Sequence, residues 1–149
     1  MARPFKLEVV LNHRRHREDA ARKRYADAVR KLRQQQDRLT AMQMTRQTYR
    51  QDLRHQQRSG EGAAAILMYM HYLTRLDTEI QAQDKVVRAH RREKERQRQD
   101  LMAALKDRKV IEKLKEHHVN QLAVEERGRE QKLLNDVAIT RYQRNAREI

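Results

Sequence analysis

Two runs of residues spaced alternately four and three apart, split by one glycine-bearing break, leave this chain few folds to choose from. The first run reads Leu7, Leu11, Arg14, Glu18, Ala21, Tyr25, Ala28, Leu32, Gln35, Leu39, Met42, Arg46, Tyr49, Leu53 and Gln56. Most members are apolar or Ala, and a 3.5-residue repeat held over that length is the mark of a coiled coil. Ser59-Gly60-Glu61-Gly62 interrupts it. Gly60 can adopt the left-handed conformation that closes a helix, and Gly62 is tolerated at the next N-cap. The second run is Ile66, Tyr69, Leu73, Leu76, Ile80, Gln83, Val87, His90, Lys94, Gln97, Leu101 and Ala104. Beyond Leu105 the apolar residues, Ile111, Leu114, His118 and Leu122, predict a slip of phase, which would alter the supercoil. Gly128 is expected to mark a hinge or an end, and the tail after Tyr142 to fray. Pro4, the one proline, stands where a helix can begin, because its missing N–H is not needed there.

A short break between two long helical arms makes an antiparallel hairpin. The expected fold is all-α: one elongated two-helix coiled-coil hairpin over 1–149, with arm one about 5–58, the turn at 59–62 and a longer arm two about 63–140. Arm one would span about 80 Å and arm two about 115 Å at 1.5 Å per residue. Pairing outward from the turn puts residues whose numbers sum to about 121 opposite one another. Arm one then runs out near residue 116, and the rest of arm two overhangs.

Composition supports long helices over a compact globule. Charged residues make up 38% of the chain, against about 25% in ordinary domains, so only a narrow stripe can be buried. Aromatics are 4%, with no Trp, too few for a thick core. Ala, Leu, Glu, Lys, Arg and Gln dominate, and these are the strong helix formers. Net charge is +14, which favours an acidic partner: nucleic acid, a membrane surface or an acidic protein groove. The register makes the basic stretches 12–24 and 88–100 staggered neighbours. Their bland reading is a solvated face; the sharper one is a basic rod in an acidic channel or along phosphates. With no Cys, disulfides and thiolate metal sites are excluded. MARPFKLEVVL has a basic start but no apolar core of signal-peptide length, and the run from Ala63 to Met70 is far below the ~20 residues of a membrane span. A soluble intracellular protein is expected.

No catalytic or cofactor chemistry is legible. His13 with His16, and His117 with His118, place imidazoles together, but flanking arginines repel a divalent cation and a zinc site needs three or four convergent ligands. No phosphate loop, G-x-S-x-G or H-E-x-x-H occurs, and a two-helix rod offers no concave pocket. No catalytic residue, cofactor or metal is expected, and no enzymatic activity. No nucleic-acid recognition module is visible either.

The start of arm two is different. A seam needs only Ile66, Tyr69 or Met70, Leu73, Leu76 and Ile80, yet the sequence adds Leu67, Met68 and Tyr72, with Met42, Met44, Tyr49 and Leu53 across the turn. Some of these seal the arms together. The surplus at Leu67, Met68 and Tyr72 predicts an exposed apolar and aromatic patch of the kind that marks partner sites.

At these residues the chain resembles the FliJ family of flagellar export proteins. The resemblance rests on FKLEVVL, on the L-x-x-M-x-x-x-x-x-x-Y-R-x-x-L run from Leu39 to Leu53, and on the glycine-bearing turn. It continues through the pattern from Tyr69 to Ile80, the late L-K-E run ending in E-E, and Glu130 to Asp136. It implies a non-enzymatic stalk. The end carrying both termini would enter the pore of a hexameric export ATPase and promote ring assembly and hydrolysis. The turn end would contact the export-gate membrane protein, and the protein would also handle export chaperones. The implied gate-facing residues are Arg38, Met42, Thr45, Tyr49, Tyr72 and Leu76. Charge logic adds Arg14, Arg15 and Arg17, with overhanging Lys113 and Lys115, toward acidic pore loops. The implied location is cytoplasmic, peripheral at the inner face of the cell membrane, without a membrane span and without specific nucleic acid. Alternatives are the stalk of a virulence-type secretion system, a basic nucleic-acid-binding coiled coil, and a structural spacer.

Overall fold

The computed structural model describes residues 5–60 and 62–148; the expected helix-starting Pro4 and the turn residue Glu61 lie outside them. Two helices account for nearly all of these residues, α1 (Glu8–Arg58) and α2 (Ala63–Arg147). They pack against each other in antiparallel sense, and α2 is the longer. The fold is the expected all-α two-helix hairpin.

The turn works through its glycines. The Ser59 N–H donates to the His55 carbonyl at 3.0 Å, and the Ser59 hydroxyl to the Gln56 carbonyl at 3.2 Å. Gly60 follows with φ of 71°, a conformation that costs an L side chain about 1–2 kcal/mol. The Gly62 carbonyl then accepts from the Ala65 N–H at 3.1 Å, which opens α2 as an N-cap does.

The chain divides into two compact units. One is Asp19–Ala103, around the turn. The other joins Met1–Glu18 to Ala104–Ile149. In the turn unit the seam is mostly aliphatic: Ala21, Ala28, Leu32, Leu76, Ile80 and Val87 are buried. Polar residues interrupt it, most deeply at Gln83. Buried Gln83 donates through Nε2 to the Gln35 backbone carbonyl at 3.0 Å and to Gln35 Oε1 at 2.8 Å. A polar pair at a seam position fixes register, because a slip would strand its donors and acceptors in the core. Arg46 Nη1 reaches Asp77 Oδ1 at 3.2 Å. The partnered numbers 46 and 77 sum to 123, beside the expected 121.

In the terminal unit, Leu11 is wholly buried and Ile111 nearly so. The expected slip of phase past Leu105 does not occur. Half-buried or buried positions run Ala104, Arg108, Ile111, Lys115, His118 and Leu122, which keeps the alternation of four and three. Leu114, read as a seam residue, is 45% exposed. Charged side chains hold the seam positions instead, and each has a carboxylate across the interface (below). Two further expectations are corrected. α2 passes through Gly128 without a break, and it continues past 140 and Tyr142 to Arg147. A helix of this length has every interior N–H bonded within itself, so one glycine lowers its propensity without ending it. From Val124 onward the described residues are all exposed.

Candidate functional site

Two surfaces carry the sequence-predicted residues. The first lies near the turn. Tyr49 of α1 is wedged between two tyrosines of α2. Its ring centroid is 6.0 Å from that of Tyr69 at an interplanar angle of 53°, and 4.4 Å from that of Tyr72 at 40°. Tilted aromatic pairs contribute about 0.5–1.5 kcal/mol beyond their burial, so the cluster ties the arms together. The Arg75 guanidinium carbon lies 5.6 Å from the Tyr72 centroid, within cation–π range. All three tyrosines are half-buried, which leaves part of each ring at the surface.

The remaining gate-facing residues separate by heptad position. Met42 is half-buried, while Arg38 and Thr45 are exposed. The Thr45 hydroxyl donates to the Ala41 carbonyl of its own helix at 3.0 Å. Leu76 is only 5% exposed. It is buried in the seam and presents almost no surface to a partner. The outward surplus is Leu67 at 55% exposure and Met68 at 74%, with Met44 and Met70 also exposed. Tyr72, grouped with Leu67 and Met68 as outward surplus, instead divides its ring between Tyr49 and solvent. With Ile66, Tyr69 and Leu73 facing α1, the residues between them have to point elsewhere.

The second surface is ionic and belongs to the terminal unit. Arg108, on α2, reaches across the seam to Glu18, whose residue is 4% exposed, through Nε to Oε2. Its Nη1 also meets Glu112 Oε2 at 2.7 Å. These side-chain hydrogen bonds, from Glu112 first and then Glu18, raise the Arg108 guanidinium above its ordinary value, so it stays charged. Arg14 Nη1 meets Asp107 Oδ2 at 2.8 Å, and Lys115 Nζ meets Glu8 Oε2 at 3.0 Å. Arg15 stands 3.7 Å from Glu112. At the outer limit of this pairing the Phe5 and His118 rings lie 5.6 Å apart.

Of the five basic residues assigned to acidic pore loops, Arg14, Arg15 and Lys115 thus already face carboxylates of their own chain. Lys115 is a seam residue and no part of the overhang. Arg17 and Lys113 are exposed. Sequence reasoning missed Arg108 and its link to Glu18. The signal was present: Glu18 occupies a repeat position, and 18 and 108 sum to 126, close to the register. Among the described residues no group of three or more His, Asp or Glu side chains is placed to hold a metal ion.

The sequence matches the family described as flagellar FliJ protein over residues 3–147. The chain belongs to the FliJ family. Membership makes it a stalk-type component of type III protein export. A comparison with curated protein sequences finds no match. Among solved structures, a YscO homolog, CT670, from Chlamydia trachomatis is similar, with a TM-score of 0.66 and 22% identity over 99% of each chain. At that identity the likeness speaks for the fold. Among the described residues no helix of this FliJ-family protein is long and apolar enough to cross a membrane.

Proposed function

We propose that this protein is the non-enzymatic stalk of a flagellar export ATPase ring. In this reading the terminal unit enters the hexamer and promotes its assembly and ATP turnover. The turn unit links the ring to the membrane export gate, and the protein also handles export chaperones. It works in the cytoplasm at the inner face of the cell membrane. The observation that carries the reading is the family match over residues 3–147.

The two surfaces fit this division of labour. A shaft inside a ring has to keep its own helices paired while its outer face is polar, and the seam ion pairs of Glu18 with Arg108 and Glu8 with Lys115 serve that purpose. Arg17 and Lys113 are the basic groups left outward for acidic pore loops. A docking end needs a fixed aromatic platform with adaptable surroundings, and the tyrosine cluster, with half-buried Met42 and exposed Met44 earlier on α1, supplies one.

The test is a titration of the protein into its cognate flagellar export ATPase, with phosphate release as the readout. ATP turnover should rise and saturate near one stalk per hexamer. A flat rate across all stoichiometries would refute the stalk role. Stimulation of a virulence-type ATPase alone would move the protein to that system.

A further inference from the structure

The start of α2 has a chemistry that the gate-facing assignment does not use. Between Gly62 and Thr74 the sequence contains no Lys, Arg, Asp or Glu. Leu67 and Met68 lie well exposed on the face of α2 turned away from α1, and Met70 is exposed on its flank. Small residues, Ala63 and Ala64, continue that exposed surface to the turn. Farther from the turn come the tyrosine rings and then Arg75 over Tyr72.

Across the turn, the end of α1 offers Arg54 and Arg58, both exposed and without a carboxylate partner among the described residues. From Arg54 to Arg75 the sequence sets Arg54, Arg58 and Arg75 against the single carboxylate of Glu61. The turn end thus combines an apolar helix face, half-buried tyrosines and exposed arginines that meet no carboxylate among the described residues. These are the side-chain types that suit the acyl boundary, the interface and the phosphates of a lipid leaflet.

We propose that the turn end of the hairpin binds directly to an anionic phospholipid surface. Leu67, Met68 and Met70 enter the acyl boundary, while Arg54, Arg58 and Arg75 engage lipid phosphates. Charge complementarity selects this occupant. The apolar face alone would suit any hydrophobic groove, but the neighbouring arginines meet no carboxylate among the described residues and suit a negatively charged plane. Such contact is of the reversible, interfacial kind, since no helix spans a membrane. The inference is independent of gate docking and is tested without the gate.

The experiment is cosedimentation of the full-length protein with vesicles of phosphatidylcholine alone or with phosphatidylglycerol added, at low and high salt. Binding is expected only to the anionic vesicles and is expected to weaken with salt. Leu67→Glu with Met68→Glu, and separately Arg54→Glu with Arg58→Glu, should each lower the affinity about tenfold or more. Circular dichroism should show unchanged helicity for both variants. Arg91→Glu with Arg92→Glu, elsewhere in the turn unit, reverses the same charge as the arginine variant and should leave most of the binding intact. Equal loss in that control would assign the binding to overall charge and overturn the proposal. So would equal binding to neutral vesicles, absence of binding, or full binding by the Leu67/Met68 variant. Gate binding that persists while vesicle binding fails would leave a protein partner as the occupant of this end.

Discussion

The two units close the same kind of seam with different chemistry. Around the turn, Ala21, Ala28, Leu32, Leu76, Ile80 and Val87 interlock, with one glutamine layer at Gln35 and Gln83. In the terminal unit, Leu11 and Ile111 are the buried aliphatics, and charged pairs close the seam on either side of them. Apolar burial is non-directional and tolerates small shifts, whereas a cross-seam ion pair is favourable only at one register. The turn unit therefore supplies most of the cohesion and takes its register from the glutamine layer, while the terminal unit takes its register from ion pairs. The contrast also bears on function: an aliphatic seam holds a fixed aromatic platform near the turn, and an ionic seam lets a helix pair stay soluble where little is buried.

The contrast can be broken from the aliphatic side first. Ile80→Ala removes a nearly buried side chain and should cost about 2–5 kcal/mol, seen as a lower denaturation midpoint with most of the helicity retained at low denaturant. Next is Glu18→Ala, which leaves Arg108 with Glu112 alone. Amide exchange should quicken around Leu11 and Ile111 and stay unchanged around Leu32 and Val87. If protection falls equally at both places, the two seams are one cooperative unit and the contrast fails. The smallest effect belongs to the turn. Gly60→Ala meets no steric obstacle within 4 Å, so its cost is conformational, about 1–2 kcal/mol, measured by the same denaturant titration.

Much of this architecture was legible in the sequence, for a physical reason. Spacings of four and three follow from helix geometry, and the glycines at 60 and 62 mark a turn whatever surrounds them. Even the register emerged, because a short turn fixes what lies opposite what: Tyr49 and Tyr72 sum to 121. The misreadings share one cause. In a sequence, seam positions are recognised by apolarity, so Arg108 and Lys115 do not read as seam residues while Leu114 does, and that implies a phase slip that burial does not show. Near the turn the difficulty was the opposite one. With apolar residues at 66 to 70, and at 72, 73 and 76, more than one stripe can face α1, and only packing decides that Leu76 is buried in the seam while Leu67 and Met68 are exposed.

The central claim is that the turn end and the terminal end do separate work for the export machinery. The direct measurement is the double variant Tyr49→Ala with Tyr72→Ala, assayed in parallel for binding to the cytoplasmic part of the export gate and for stimulation of the export ATPase. Gate binding should be lost while helicity and ATPase stimulation remain near those of the unaltered protein. Unchanged gate affinity, or loss of both activities together in a folded variant, would contradict the claim.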